Sequence, residues 1–233
     1  MNPPAITRLH PAELTDQTLD AAVVIDVLRA TTTAVALFDR GVTTVRVVAT
    51  PDELRGLPPP PDGQRYQVFS ELDASGDAGF DRCDNSPARA LDLDLAGRLP
   101  VLVTTNGTRA IAAAVERASV VLVGTFCNLT ATARHLLASG RAVTLLAAGD
   151  FAGRDVRTED ERCADAFEAT LRGGAPDLAR LLAACRDDAR LQRRLARTPD
   201  LAHDVDIAFD VDRFPVVVGA RRGVAGLELV QIA

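Results

Sequence analysis

The chain has 233 residues, of which 47% are hydrophobic and 25% charged, and its net charge is −6 at pH 7. All 26 residues in the Lys and Arg total are Arg. The absence of Lys excludes a Schiff-base lysine, a lysine-bound pyridoxal phosphate and a Walker-A phosphate loop. The negative charge disfavours a nucleic-acid partner. Any phosphate must therefore be bound by Arg, backbone N–H groups and small polar side chains.

Short β-branched runs alternate with Ala- and Leu-rich helical stretches along most of the chain. The predicted strands are 22–27, 43–49, 101–105, 119–123 and 142–148, and the predicted helical stretches are 31–40, 108–117, 129–139, 159–171 and 177–197. Strands that are apolar on both faces and alternate with helices are typical of a largely parallel sheet covered on both sides. We expect a single three-layer α/β/α domain over residues 1–233, with short strands within 205–231.

Polar stretches complete the pattern. Residues 56–65 contain four consecutive prolines and residues 70–86 are long and polar, so both are predicted to be loops, together a loop insertion at 56–86. The Arg-rich stretch 186–197 is interrupted by Asp187 and Asp188 and is predicted to be a solvated helix face.

Cysteine usage and the N-terminal residues bear on location and assembly. Four scattered cysteines with no CxxC pair give little support for structural zinc. The start of the chain lacks a signal pattern, and no apolar run approaches membrane-spanning length, so we expect a cytoplasmic protein with reduced thiols and no membrane partner. Because twofold assemblies are the commonest oligomers, the expectation for assembly is a homodimer.

One local pattern occurs twice and carries the strongest chemical signal. A strand runs into Asp26 and then Arg29, and a second strand runs into Asn106 and then Arg109, each followed by a helix. A helix N-terminus carries partial positive charge and free N–H groups, so both units suit an anion, and nearby threonine hydroxyls add donors. Each Arg could instead pair with a neighbouring carboxylate, and the spacing alone does not decide between the two interpretations.

Another predicted helix start follows Asn85, where Ser86 and Pro87 form an N-cap signature that favours plain capping over ligand binding. Further along, Thr158 and Glu161 fit a capping box.

The remaining carboxylates near that last helix start are Asp150, Glu159 and Asp160. They could supply oxygen ligands to Mg²⁺, which usually keeps several waters and also binds substrate phosphate. Acid-rich helix starts are common, so a plain helix start remains the alternative interpretation.

With these residues assembled, the chain resembles the 2-phosphosulfolactate phosphatase family. The matching segments are VVIDVLRATTT (23–33), GFDxxxNSP (79–87), TTNGTRA (104–110) and EDERCADA (159–166). Members are Mg²⁺-dependent acid phosphatases with an α/β fold that hydrolyse 2-phospho-3-sulfolactate to 3-sulfolactate and phosphate, a step of coenzyme M biosynthesis in methanogens. The resemblance implies this fold, this activity, Mg²⁺ as cofactor and a small anionic phosphoester as substrate.

The chain departs from the family pattern in three places. Members usually carry a Gly-Glu-Arg-Gly-Gly-like segment before the GFD motif, whereas residues 69–77 here offer only Glu71 as a counterpart and no Arg. Asp84 replaces the usual Gly before Asn85, and residues 150–158 replace a Gly-Arg-Phe-Ser-Leu-like segment. These departures bear on the identity of the substrate more than on phosphatase chemistry.

The expected site combines these residues. We expect Arg29 and Arg109 to clamp phosphoryl oxygens bidentately, and Asn106 and the N–H group of Gly107 to orient the phosphoryl group. Asp26 is the expected nucleophile or metal ligand, and the sequence leaves aspartyl-phosphate formation and direct attack by water as alternatives. The expected metal ligands are Asp26, Asp150, Glu159 and Asp160, and the further phosphate-binding residues are Thr31, Thr32, Asn85, Ser86, Thr108 and Arg154.

Competing functions remain open at this point. Haloacid-dehalogenase-type phosphatases need a second Asp two positions after the first, where this chain has Leu28, and no GxGxxG motif supports a dinucleotide dehydrogenase. A non-catalytic anion- or metabolite-binding protein derived from the same family is the alternative to the enzyme, and a phosphatase for another small phosphoester is a third hypothesis.

Overall fold

The structure is a computed structural model that describes residues 3–60, 63–72, 80–152 and 155–232. These residues form ten strands and nine α-helices. In chain order they are β1 (Ile6–Leu9), β2 (Leu19–Ile25), α1 (Ala30–Asp39), β3 (Thr44–Val48), α2 (Pro51–Arg55), β4 (Arg65–Phe69), β5 (Asp81–Cys83), α3 (Pro87–Asp92), β6 (Arg98–Val103), α4 (Gly107–Val115), β7 (Ala118–Gly124), α5 (Leu129–Ser139), β8 (Val143–Ala147), α6 (Thr158–Leu171), α7 (Leu178–Arg186), α8 (Ala189–Arg197), α9 (Leu201–Ala208), β9 (Val218–Gly223) and β10 (Gly226–Gln231).

All ten strands form one mixed sheet in the order β1-β8-β2-β7-β9-β10-β3-β6-β4-β5. The first four strands in this order are parallel to one another, and so are the last four. The β9–β10 hairpin lies between the two groups and pairs antiparallel with β7 on one side and β3 on the other. Three antiparallel pairings in a row make the two parallel groups run in opposite directions.

Helices cover both faces of the sheet, which confirms the predicted three-layer α/β fold. Strand β2 shows why: Ala22 and Val24 pack into a core with α1, α3 and α4, whereas Val23 and Ile25 pack into a second core with α5, α6 and α7. Alternate residues of a strand point to opposite faces, so a strand that is apolar throughout must be covered twice.

Several predicted elements require correction. The predicted loop insertion at 56–86 contains β4 and β5, which extend the sheet. Residues 65–68 of β4 alternate polar and apolar, which is a strand pattern. The stretch 177–197 is two helices, because α7 ends at Arg186 with Asp187 as its C-cap, and Asp188 caps the start of α8. Residues 201–208 are helical, so the region 205–231 does not consist only of strands and turns.

The two predicted capping motifs have different outcomes. Ser86 accepts a hydrogen bond from the N–H group of Arg89 and caps α3, as predicted. The capping box at Thr158 is wrong, because Arg157 occupies the N-cap position of α6. The Thr158 hydroxyl instead donates to Asp188 Oδ2 at 2.7 Å and joins α6 to α8.

All four cysteines are free thiols, and Cys127, Cys163 and Cys185 are buried. Among the described residues, no helix is both long enough and apolar enough to cross a membrane.

Candidate active site

A polar cavity of about 320 Å³ opens where the chain leaves β2, β4, β6 and β8. Side chains from the starts of α3 and α6 and from the middle of α8 complete its wall. The lining residues are Asp26, Leu28, Arg29, Glu71, Asn85, Thr105, Asn106, Gly149, Arg157, Glu159, Asp160, Arg190 and Arg194. The cavity therefore combines four carboxylates with four guanidinium groups, and its volume is that of a small-ligand site.

Asp26 follows β2 and lies at the N-termini of two helices. Its carboxylate accepts hydrogen bonds from the N–H group of Ala30 in α1, at 3.3 Å, and from that of Gly107 in α4. A β-carbon on Gly107 would lie 2.5 Å from both Asp26 Oδ2 and Ala30 Cβ, so only glycine permits this approach. The anion held by the two predicted helix starts is thus the Asp26 carboxylate itself.

The surroundings of Asp26 disfavour the ionised form of its carboxyl group. Burial and the nearby carboxylates of Glu71 and Glu159 raise the pKa of Asp26 to about 7, although the N–H groups of Ala30 and Gly107 lower it. A buried carboxylate beside other carboxylates gains from any cation or proton that enters the cavity. A cation bound in the cavity would therefore favour the ionised form of Asp26.

Asp160 and Glu159 begin α6 and are nearly fully buried. Asp160 accepts hydrogen bonds from the N–H groups of Val27, at 2.8 Å, and Gly149, at 3.0 Å, and so joins the loops that follow β2 and β8. Burial and the charges of Asp26 and Glu159 raise the pKa of Asp160 well above its ordinary value. Glu159 accepts hydrogen bonds from Arg190 at 2.9 and 3.0 Å. Both carboxylates thus have partners inside the protein.

Glu71 and Asn85 form a second polar group beside Asp26. Glu71 accepts hydrogen bonds from the N–H and hydroxyl groups of Thr105 at 2.8 and 3.1 Å, and from Asn85 Nδ2 at 3.3 Å. Asn85 is 2% exposed, and its Oδ1 atom has no hydrogen-bond partner among the described residues. A buried acceptor without a donor is costly, so this oxygen is suited to a ligand.

The donor chemistry of Asp26, Glu71 and Asn85 fits a hard divalent cation such as Mg²⁺, which prefers oxygen ligands. No three His, Cys, Asp or Glu side chains converge as a preformed metal cage within the described part of the chain. Mg²⁺ does not need such a cage, because it commonly uses one or two carboxylates together with substrate phosphate and water.

Arg29 is the N-cap residue of α1, one position before the helix. Its guanidinium group is bonded to Asp84 at 2.6 and 2.7 Å and to Asp204 at 2.8 Å. Burial opposes its charge, but the hydrogen bonds and charges of these two carboxylates outweigh burial and raise the pKa of Arg29. The structure thus shows the pairing with carboxylates that the sequence left open, while the side chain still lines the cavity.

Six of the residues expected from the sequence come together in the cavity: Asp26, Arg29, Asn85, Asn106, Glu159 and Asp160. Asn106 accepts a hydrogen bond from the N–H group of Phe151 at 3.1 Å and so fixes the turn after β8. The expected residues that do not line the cavity are Thr31, Thr32, Ser86, Gly107, Thr108, Arg109 and Asp150. Arg154 lies outside the described residues.

Internal bonding explains why most of these residues stay out of the cavity. The hydroxyls of Thr31, Thr32 and Thr108 donate to the backbone carbonyls of Asp26, Val27 and Thr104, respectively.

Two of the remaining residues point to other partners. The Ser86 hydroxyl donates to Asp204, which does not line the cavity. Asp150 pairs with Arg157 at 3.6 Å.

Residue types and spacing did not reveal Thr105, Gly149, Arg157, Arg190 or Arg194 as cavity residues. The three arginines come from α8 and from the residue before α6, far along the chain from the repeated pattern. The one available signal was the Arg-rich composition of 186–197, which was predicted to be a solvated helix face. That prediction holds for Arg193 but not for Arg190 and Arg194, which turn inward.

Residues 8–222 match the family of 2-phosphosulpholactate phosphatases. Relatives named "Probable 2-phosphosulfolactate phosphatase" occur in Synechocystis sp., Symbiobacterium thermophilum and Trichormus variabilis, with 36%, 35% and 33% identity over 166, 148 and 160 residues. The matches cover 70%, 63% and 68% of this chain and 67%, 61% and 64% of the relatives. The matched part of the chain thus spans about two thirds of the length of these relatives.

Proposed function

Because the chain belongs to the 2-phosphosulpholactate phosphatase family, we propose that it hydrolyses the phosphate monoester of 2-phosphosulfolactate to sulfolactate and phosphate. The observation that carries this proposal is the cavity around Asp26, where buried carboxylates and guanidinium groups occur together. Phosphoryl transfer depends mostly on positioning and on stabilisation of charge, and both kinds of group serve that purpose.

Mg²⁺ is part of the proposal, with Asp26, Glu71 and the Asn85 amide oxygen as the residues that would hold it. When bound, the ion would neutralise charge on the phosphoryl oxygens. This set differs from the four carboxylates expected from the sequence. Glu159 is ion-paired with Arg190, Asp160 uses both of its oxygens to accept from backbone N–H groups, and Asp150 lies outside the cavity lining. Asn85 enters the set because its Oδ1 atom has no donor among the described residues, and Glu71 because it is bonded to Asn85.

The protein side chains position the phosphoryl group in this scheme. Asn106 uses its Oδ1 atom to hold Phe151, which leaves its Nδ2 group as a donor toward a phosphoryl oxygen. Arg29 presents a guanidinium group at the cavity wall that Asp84 and Asp204 hold in a fixed orientation. Such preorganised donors stabilise developing negative charge without further reorganisation.

Asp26 retains two candidate roles, nucleophile and metal ligand. A nucleophilic Asp26 would form a bond from its carboxylate oxygen to phosphorus as the ester P–O bond breaks, and the departing alkoxide would take a proton from water. A second water would then attack phosphorus, break its bond to the carboxylate and release phosphate. Acid quenching of the enzyme with radiolabelled substrate would trap label on the protein in that case. An unlabelled protein during steady turnover would support attack by water.

The first test measures phosphate release from 2-phosphosulfolactate by wild type, Asp26→Asn and Asp39→Asn. Asp39 is an exposed residue at the end of α1 and provides a matched control in the same strand–helix unit. We expect Asp26→Asn to lose turnover while its circular dichroism spectrum is retained, and Asp39→Asn to match wild type. Binding of the phosphoester without turnover by wild type would instead support the non-catalytic alternative.

The metal requirement is tested by chelation. Removal of divalent ions is expected to stop phosphate release, and added Mg²⁺ is expected to restore it; a rate that persists in excess chelator would contradict this part of the proposal. A cytoplasmic location, a homodimer and the absence of a nucleic-acid partner remain predictions, which fractionation, light scattering and nucleic-acid binding assays would test.

A further inference from the structure

Helix α8 carries an Arg-rich face into the active-site cavity. Arg190 and Arg194 are four residues apart, so they lie on the same face of the helix, and both line the cavity. Arg193 and Arg197 are exposed. The inward face is held in place because Leu191 is 2% exposed in the core and Asp188 connects the start of α8 to Thr158 of α6.

Three of the four cavity arginines have a carboxylate partner. Arg29 is bonded to Asp84 and Asp204, Arg157 pairs with Asp150, and Arg190 is bonded to Glu159. Their charges are therefore largely compensated within the protein. These arginines can orient a ligand, but each already has an anion beside it.

Arg194 differs from these three. Its guanidinium group forms no hydrogen bond or ion pair with any residue in the described parts of the chain, although the side chain is only partly exposed at the cavity wall. Burial and the positive charges of Arg29 and Arg190 lower the pKa of Arg194, and the negative charges of Glu159 and Asp26 only partly offset this. A partly buried cation without a counterion gains more from a bound anion than one that is already paired.

We propose that Arg194 binds a second anionic group of the substrate, the sulfonate or the carboxylate, and so selects phosphoesters that carry such a group over neutral ones. This inference rests on the proposed function, because it assigns a binding partner within the same cavity. A guanidinium group suits both oxyanions, since its planar donors match their geometry.

Three phosphoesters separate the contributions of the two anionic groups. 2-Phosphosulfolactate carries a carboxylate and a sulfonate, 2-phosphoglycerate carries the carboxylate alone, and glycerol 2-phosphate carries neither. The phosphate occupies the same central carbon in all three compounds, so differences in rate report on the flanking groups.

The experiment measures kcat and KM for the three compounds with wild type, Arg194→Gln, Arg194→Lys and Arg193→Gln. The last variant makes the same change one residue earlier on the exposed face of α8. For 2-phosphosulfolactate, we expect Arg194→Gln to lower kcat/KM by about 10- to 100-fold, mainly through KM, as for a lost hydrogen bond to a charged group. For glycerol 2-phosphate, we expect a change of less than about threefold, with Arg194→Lys restoring part of the loss.

The outcomes separate the inference from the proposed function. A similar loss with 2-phosphoglycerate assigns Arg194 to the carboxylate, and a loss confined to 2-phosphosulfolactate assigns it to the sulfonate. Equal losses on all three compounds, or no loss, would overturn the inference. If wild type releases no phosphate, the proposed function fails. The inference about Arg194 is then tested by measuring sulfolactate binding by calorimetry. Weaker binding by Arg194→Gln than by wild type supports the inference, and equal binding overturns it.

Discussion

Gly107 provides a sharp test of how the site is assembled, because it packs directly against Asp26. A β-carbon at this position would lie 2.5 Å from both Asp26 Oδ2 and Ala30 Cβ, and 3.1 Å from Asp26 Cβ. Overpacking of this kind costs up to about 3 kcal/mol. Restricting the unfolded chain by Gly→Ala returns at most about 1 kcal/mol, since Gly107 does not have a positive φ. The expected net cost of Gly107→Ala is therefore about 2 kcal/mol.

Urea denaturation and thermal melting measure this cost, and phosphate release reports on Asp26. For a chain of this size, about 2 kcal/mol corresponds to a fall in Tm of roughly 4–8 °C. Displacement of the Asp26 carboxylate is also expected to reduce kcat. Gly56→Ala is the matched control, because its β-carbon would meet only carbonyl oxygens at 3.6 Å. Wild-type stability together with wild-type kcat in Gly107→Ala would refute the assignment of Gly107 as the contact that positions Asp26.

Three further predictions follow from single contacts. Ser86→Ala removes the cap of α3 and the hydrogen bond to Asp204, so urea denaturation should show a loss of about 1–2 kcal/mol, and an unchanged midpoint would contradict the capping role. Asp84→Asn removes one of the two anionic partners of Arg29. Because this ion pair is partly exposed, the inhibition constant of inorganic phosphate should fall by no more than about fivefold. An unchanged inhibition constant would count against phosphate binding by Arg29. Burial raises the pKa of Cys127 and Cys185 to about 12, so both thiols stay protonated at pH 8 and should resist alkylation in the folded protein but not in urea; rapid labelling of either in the native state would contradict their burial.

The sequence was sufficient to predict the layers of the fold because the signal is local. Strands such as β2 are apolar on both faces, and that pattern arises only where helices cover both sides. The order of strands was not predictable in this way. The β9–β10 hairpin comes from the end of the chain yet lies in the middle of the sheet, between β7 and β3, and its position depends on long-range pairing.

The cavity residues were predictable from the sequence only where the signal is local. Asp26 follows β2 directly and Asn106 lies three residues after the end of β6, so their place near strand ends could be predicted from the adjacent residues. Arg190 and Arg194 reach the cavity only because Asp188 and Leu191 fix the position of α8 against α6 and the core. No local pattern distinguishes an Arg that faces solvent from an Arg that faces a cavity on the same helix.

The two copies of the repeated pattern differ in one charge, because the first has Asp26 where the second has Asn106. The surroundings of Asp26 explain why a neutral residue suits the second position. Asp26 already shares the cavity with the carboxylates of Glu71, Glu159 and Asp160, and its pKa is raised to about 7. A second aspartate at position 106 would add a fifth negative charge and raise the cost of ionising Asp26 further. An amide there avoids that repulsion, holds Phe151 through its oxygen and leaves its nitrogen as a donor toward the cavity. An asparagine in the second copy therefore suits a site that already holds four carboxylates and receives an anionic substrate.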